Sequence, residues 1–253
     1  TMMPLKELPQ QYNQWEEFCV IGSGKTGMDA VLFLLAKDVP ADHIHWVIPN
    51  DAWLFNRAHI QVGTATGELM KHADCFKNAN TAEDIFIEME KSGGILRLDK
   101  HVSPSKWRCA TVSVDELSQL QRIKNVIRKG RVNQITKSEI QLQKGNIAYT
   151  RRTLFVDCSA RAVSNEKIKP IFEGDLITPQ MVRSYQPVFS AAAIAHVEAA
   201  YETDAEKNRL CQVVPLPNHD TDYVRFTAAF MMNQYNWSQD KGMKTWLLNN
   251  RLD

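Results

Sequence analysis

A short apolar run, Phe18-Cys-Val-Ile21, meets the glycine cluster Gly22-Ser-Gly24-Lys-Thr-Gly27, and a helical pattern follows at once. An apolar run bounded by a glycine turn reads as a buried strand. Residues 26–37 read as a helix whose buried side is Val31, Leu32, Leu34 and Leu35, with Pro40 ending it. Ile44 to Ile48 reads as a second strand, closed by Pro49-Asn50. Strand, turn, helix and strand follow one another within about thirty residues, the size of a βαβ unit.

The glycine spacing has a physical meaning in that context. Gly22 allows a tight turn. Gly24 removes a side chain where a pyrophosphate must approach the backbone, and Gly27 lets the helix lie close to the strand. The helix start then offers free N–H groups and partial positive charge to phosphates. Candidate cofactor-binding residues are therefore Gly22, Ser23, Gly24, Lys25, Thr26 and Gly27, with Lys25 and Thr26 expected in the turn. A P-loop is the rival reading, because Gly24-Lys25-Thr26 resembles the end of a Walker A motif and Leu154 to Asp157 a Walker B strand. That motif requires glycine five residues before Gly24, where Cys19 stands.

The second strand bears on NAD against NADP. Asp or Glu at its end holds the ribose 2′-hydroxyl of NAD, whereas a nearby Arg suits the 2′-phosphate of NADP. The chain reads Pro49-Asn50-Asp51 there, and Arg57 follows. Asn50 is a candidate for a ribose hydroxyl and Arg57 for the 2′-phosphate, so NADP is favoured over NAD. A solvated surface charge is the bland reading of Arg57.

Downstream, the stretch from Asp51 to Asn80 carries no decisive pattern. Thr81 to Lys91 reads as a helix with Thr81 as N-cap and Asp84 three residues on, stopped by Gly93-Gly94, before a short strand at residues 95–98. Ser113-Val-Asp-Glu116 is a capping box opening a helix to about Asn125. Residues 131–135, 139–142 and 147–149 alternate between turn residues, with Lys144-Gly145-Asn146 as a hairpin turn: a β-meander. Leu154 to Asp157 is another apolar strand. After Ala160 the texture becomes helical, with candidates at residues 187–201, 204–211, 220–235 and 239–250. The fold class is thus α/β: a Rossmann-type dinucleotide-binding sheet with a three-stranded meander over residues 1–160, then a mainly helical region over 161–253.

Composition narrows the partners. The formal net charge is +1 over 253 residues, so nothing suits the chain to a polyanion, and nucleic acid is not expected. No segment approaches the roughly 18 apolar residues of a membrane span. The opening residues lack the charged start and apolar run of a signal peptide. Five cysteines, an odd number with no CxxC pair, argue against a disulfide scaffold or zinc site and for the cytoplasm. The chain begins with Thr, which suggests a processed product or a fragment. The seven histidines show no ligand spacing, so no metal is expected. His196 reads as a packed residue, Cys158 as an inert thiol, and Trp237 and Trp246 as core anchors.

The blocks FCVIGSGKTGMDAVLFLL, HWVIPNDAWLFNR, WRCATVS and FVDCSA, with PVFSAAAIAHVEAAY and the ending WLLNNRLD, resemble one group of FAD- and NAD(P)-dependent oxidoreductases. That group is related to the flavin-containing monooxygenases and, more remotely, to the pyridine nucleotide-disulfide oxidoreductases. The resemblance implies two nested dinucleotide domains. The NAD(P) unit carries a meander in place of a crossover helix, and the strand ending Asp157-Cys-Ser-Ala160 returns to the FAD domain. Ala160 stands where the family has glycine, and no FAD-type glycine turn lies in the 17 residues before Phe18. The expectation is the nicotinamide-nucleotide-binding portion of a flavin-dependent oxidoreductase, monooxygenase-like in kind. NAD(P)H would donate hydride to an FAD held by sequence outside this chain. A non-catalytic NAD(P)-binding sensor is the alternative. The small-molecule substrate and the catalytic residues are unassigned, and a homo-oligomer is open.

Overall fold

The computed structural model describes residues 1–61, 74–77, 79–160 and 168–252. Two compact units, Thr1–Val163 and Ser164–Asp253, divide the chain.

The first unit runs β1 (Met2–Pro4), a single helical turn α1 (Leu8–Gln11), β2 (Glu17–Ile21), α2 (Lys25–Ala36), β3 (Ile44–Val47) and β4 (Ala52–Asn56). It continues through α3 (Ala82–Lys91), β5 (Ile95–Leu96), β6 (Lys106–Val112), α4 (Val114–Leu120) and β7 (Asn125–Ile127). A meander of β8 (Val132–Ile135), β9 (Glu139–Leu142) and β10 (Gly145–Ala148) precedes β11 (Thr153–Asp157). The main sheet has the order β1-β11-β2-β3-β7. All its neighbours pair in parallel.

Side chains alternate across a strand, and both faces of this sheet are covered. Phe18, Val20, Trp46, Leu154 and Val156 point to the face where Val31 and Leu34 of α2 pack. Cys19, Ile21, Val47 and Phe155 point to the other, where Ile140 and Leu142 of the meander lie. That double coverage is why Phe18-Cys-Val-Ile21 reads as unbroken apolar sequence. Each such buried side chain contributes about 1.5–3 kcal/mol of transfer free energy.

The meander lies in the crossover from β7 to β11, where the sequence pattern puts it. Its turn differs in detail: Gly145 is a strand residue opposite Leu142, and the loop is Gln143-Lys144. Gly145 still adopts φ +116°, which its lack of a side chain permits.

Three segments depart from the sequence expectation. The Ser113 helix stops at Leu120, not Asn125, because Asn125–Ile127 pairs with β3 as the sheet edge. Met2–Pro4, for which the sequence pattern predicts no element, is the opposite edge, with Met3 buried. The undecided stretch after Asp51 contains β4, which joins β5 and β6 in a second small sheet; residues 62–73 and 78 lie outside the described residues. Phe86 stacks on Trp53 with ring centroids 5.4 Å apart and meets Trp107 edge-on at 5.1 Å beside that sheet.

The second unit holds a short antiparallel pair, β12 (Phe172–Glu173) and β13 (Leu176–Ile177). Helices α5 (Pro187–Ala200), α6 (Asp204–Leu210), α7 (Tyr223–Gln239) and α8 (Lys241–Asn249) follow. Its core gathers Phe172, Phe189, Val197, Leu210, Trp237 and Met243. Trp237 anchors it twice, by burial and by donating its indole N–H to the Leu210 carbonyl at 2.7 Å. Trp246 is only partly buried, stacked on His196 with centroids 5.0 Å apart. No described helix is long and apolar enough to cross a membrane.

Candidate functional site

The glycine turn sits at the carboxyl end of β2. The neighbours of β2 are β3, next in sequence, and β11, to which the chain returns last. Chain direction across the sheet reverses between β2 and β11, and the crevice at such a point is where open parallel sheets bind ligands. Gly22 takes φ +127°, and a Cβ there would stand 2.3 Å from the Cys158 carbonyl oxygen in the β11 loop. A Cβ on Gly27 would stand 2.1 Å from the Gly22 carbonyl oxygen. Both glycines are thus demanded by the packing of turn, helix and neighbouring loop.

Gly24 is different. Its φ of −78° and ψ of 178° are open to any residue. An added Cβ would meet nothing within 4 Å. Neither a clash nor a backbone angle requires glycine there; its one local role is as a favourable N-cap. Gly24 is also the N-cap of α2, and it supplies no side chain to the helix start. The first helical bond runs from Met28 N–H to the Gly24 carbonyl at 3.1 Å, so the N–H groups of Lys25, Thr26 and Gly27 precede the ladder. No acidic residue stands in the first turn. Lys25 and Thr26 are the first two helical residues rather than members of the turn.

Two contacts fix this turn, one from β3 and one from the bend after it. Trp46 donates its indole N–H to the Gly22 carbonyl at 2.8 Å. Ser23 Oγ donates to the Asn50 carbonyl at 2.9 Å. The structure therefore brings Asn50 to the glycine turn, joined through its backbone. A recess of about 10 Å³ beneath, lined by Ser23, Met28, Trp46 and Asp51 among others, is no larger than one water.

Arg57 is engaged rather than a lone surface charge. Its Nη2 donates to Glu116 Oε2 at 3.0 Å, and Lys25 Nζ lies 3.5 Å from Glu116 Oε1. Lys25 also pairs with Asp29 one helical turn on. Glu116 is the N3 residue of α4 and accepts the Ser113 backbone N–H at 2.7 Å. Burial opposes its charge, yet that N–H, the Arg57 hydrogen bond and the charges of Lys25 and Arg57 hold its carboxyl below the ordinary value. Lys25 and Arg57, 32 positions apart in sequence, thus meet at one carboxylate.

Asp51 is withdrawn from ligand duty. Arg128, just after β7, grips it with two hydrogen bonds of 2.9 Å and 3.0 Å. Cys158 is a buried thiol whose pKa is pushed up to about 12 by burial, with Asp157 and Asp29 adding to the shift. It fits the reading of inert packing. Among the described residues no group of three His, Cys, Asp or Glu could hold a metal ion.

Sequence reasoning missed Trp46 and Glu116 as parts of this site. Trp46 looked like one more apolar strand residue. Glu116 carried only its capping signal, and nothing local links it to Arg57, 59 residues away.

Fold and site together define a mixed α/β protein with a parallel sheet and a glycine turn at its carboxyl edge. The chain is 40% identical over 252 residues to uncharacterised proteins of Mycobacterium tuberculosis and Mycobacterium bovis. The alignments cover 98% of this chain and 47% of each relative, so the chain spans about half the length of the curated relatives it matches. No family model and no solved structure matches it.

Proposed function

We propose that the first unit is a Rossmann-type domain that binds a nicotinamide nucleotide, NADP rather than NAD. In this reading the chain is the nicotinamide-nucleotide-binding portion of a flavin-dependent oxidoreductase. The observation that carries the reading is Gly24: a residue left without a side chain where neither backbone nor neighbours ask for it. A pyrophosphate approaching the uncapped start of α2 supplies the missing reason. Its oxygens would accept from the N–H groups of Lys25, Thr26 and Gly27, while Ser23 and Trp46 hold the turn in shape. Asp51 is nearly buried against Arg128, whereas Arg57, though paired with Glu116, keeps a side chain 44% exposed and carries the positive charge a 2′-phosphate needs. Asn50 remains the candidate for a ribose hydroxyl. When bound, the nicotinamide supplies hydride chemistry; the protein supplies grip, orientation and field.

The described residues hold one glycine turn of this kind, which suits one dinucleotide. The acceptor of the hydride, and the substrate, would belong to sequence outside the chain.

Gly24→Val tests the reading. Its backbone angles and open surroundings predict an unchanged circular dichroism spectrum, with a stability loss of about 1 kcal/mol because valine is a poorer N-cap than glycine. The isopropyl group would fill the pyrophosphate's place, and titration calorimetry should find NADPH binding lost. Equal affinity in both proteins would remove the turn from the site. Arg57→Ala should weaken NADPH more than NADH.

A further inference from the structure

The triad of Lys25, Glu116 and Arg57 has an unusual charge balance for an anion site. Lys25 stands at the uncapped helix start and Arg57 joins it through Glu116; two carboxylates, Glu116 and Asp29, already neutralise these cations. Glu116 alone bridges both cations. It is held in place from behind by the Ser113 backbone N–H, so it does not swing away freely. Its side chain is 28% exposed, open to the same solvent a ligand would come from.

We infer that Glu116 is an internal competitor for the ligand's phosphate, and that it sets the preference between NADP and NAD. The inference rests on the nucleotide reading of the glycine turn. A phosphate reaching Arg57 or Lys25 meets a cation whose partner is a fixed carboxylate. It must displace that carboxylate or share the cation with it, against the repulsion of like charges. The cost falls hardest on the ligand with the additional dianionic phosphate. Arg57 faces Glu116 through a direct hydrogen bond, whereas Lys25 stands farther off and is shared with Asp29. The 2′-phosphate therefore feels Glu116 chiefly through Arg57. Glu116 makes the site less selective for NADP than its arginine alone would.

Glu116→Gln separates charge from structure. Gln satisfies a capping box as Glu does, so α4 keeps its bond to Ser113 while the negative charge is lost. Calorimetry should show NADPH binding about three- to tenfold tighter in E116Q, the scale of one partly exposed charge contact. NADH should gain less. In an Arg57→Gln background the extra gain for NADPH should vanish, because the two residues act as one pair. Ser113→Ala, which breaks the capping box and spares the charge, should leave both affinities unchanged. Unchanged or weaker NADPH binding in E116Q, with Gly24→Val still abolishing it, overturns this inference and leaves the glycine turn in place. Equal tightening in Ser113→Ala also overturns it, since a loosened helix would then explain the effect. A wild-type chain that binds neither nucleotide overturns both readings.

Discussion

Gly22, Gly24 and Gly27 lack a side chain for three separate reasons, and substitution should tell them apart. Gly22 combines φ +127° with a neighbouring carbonyl oxygen 2.3 Å from any Cβ. Gly22→Ala should cost more than about 3 kcal/mol, since strain and clash add. Gly27 has helical backbone, so only the clash with the Gly22 carbonyl oxygen counts. Gly27→Ala should cost about 1–3 kcal/mol as the helix lifts off the turn. Urea unfolding would rank the three alanine variants, with Gly24→Ala closest to wild type. A large loss at Gly24 would mean that the fold needs that glycine, and the case for a ligand there would fall. The hydrogen bond from Trp46 to Gly22 belongs to the same logic: the glycine that makes the sharp turn is also tethered by its carbonyl.

Four helices off the glycine turn show what a capped start looks like, whereas α1, α5 and α7 begin, as α2 does, without a side-chain cap. Thr81 and Ser113 open α3 and α4 with reciprocal capping boxes, and Thr203 and Asp240 cap α6 and α8 with side-chain oxygens. Asp240 accepts the Met243 N–H at 2.9 Å and the Tyr201 hydroxyl. Burial opposes its charge, but the Tyr201 hydrogen bond, the Met243 N–H and the Arg209 charge together lower its pKa from the ordinary 3.8. A carboxyl lowered by folding stabilises fully above its unfolded value, and loses that contribution as pH falls through the folded value. Asp240→Asn keeps a good N-cap while removing the titration. Its urea midpoint should match or fall slightly below wild type at about pH 7, and the gap should narrow at about pH 3. A gap that widens on acidification would mean the lowered carboxyl is not stabilising. These capping boxes were legible in the sequence because their signals lie three residues apart. So were the βαβ unit, the meander and the later helices, each carried by a local period. The edge strands β1 and β7 were not, because Met2–Pro4 and Asn125–Ile127 become strands only by pairing with residues far along the chain. The same limit hid half of the site: the glycines announce themselves, whereas the meeting of Lys25, Arg57 and Glu116 exists only in the folded protein.

Each unit closes its own core, and among the described residues the parallel sheet with a carboxyl edge lies in the first. A dinucleotide needs such an edge, a glycine turn and an open helix start together. The described part of the second unit has helices and one two-stranded antiparallel ribbon, and these present no such junction. Its surface also leaves Val188, Tyr235 and Leu248 at 67%, 61% and 87% exposure. The relatives are about twice as long as the alignment. On the nicotinamide reading of the turn, the chain as it stands should purify colourless and show no NADPH-dependent reduction of artificial electron acceptors. An absorbance spectrum of the native chain, and of the supernatant after heat denaturation, reads the result directly. Bound NADPH should still quench or shift the fluorescence of the native chain, since the turn is complete within the first unit. A stoichiometric flavin spectrum would instead assign the turn at Gly22–Gly27 to FAD. Arg57 and Glu116 would then face the adenosine half of a flavin, and the nicotinamide assignment would fall with them.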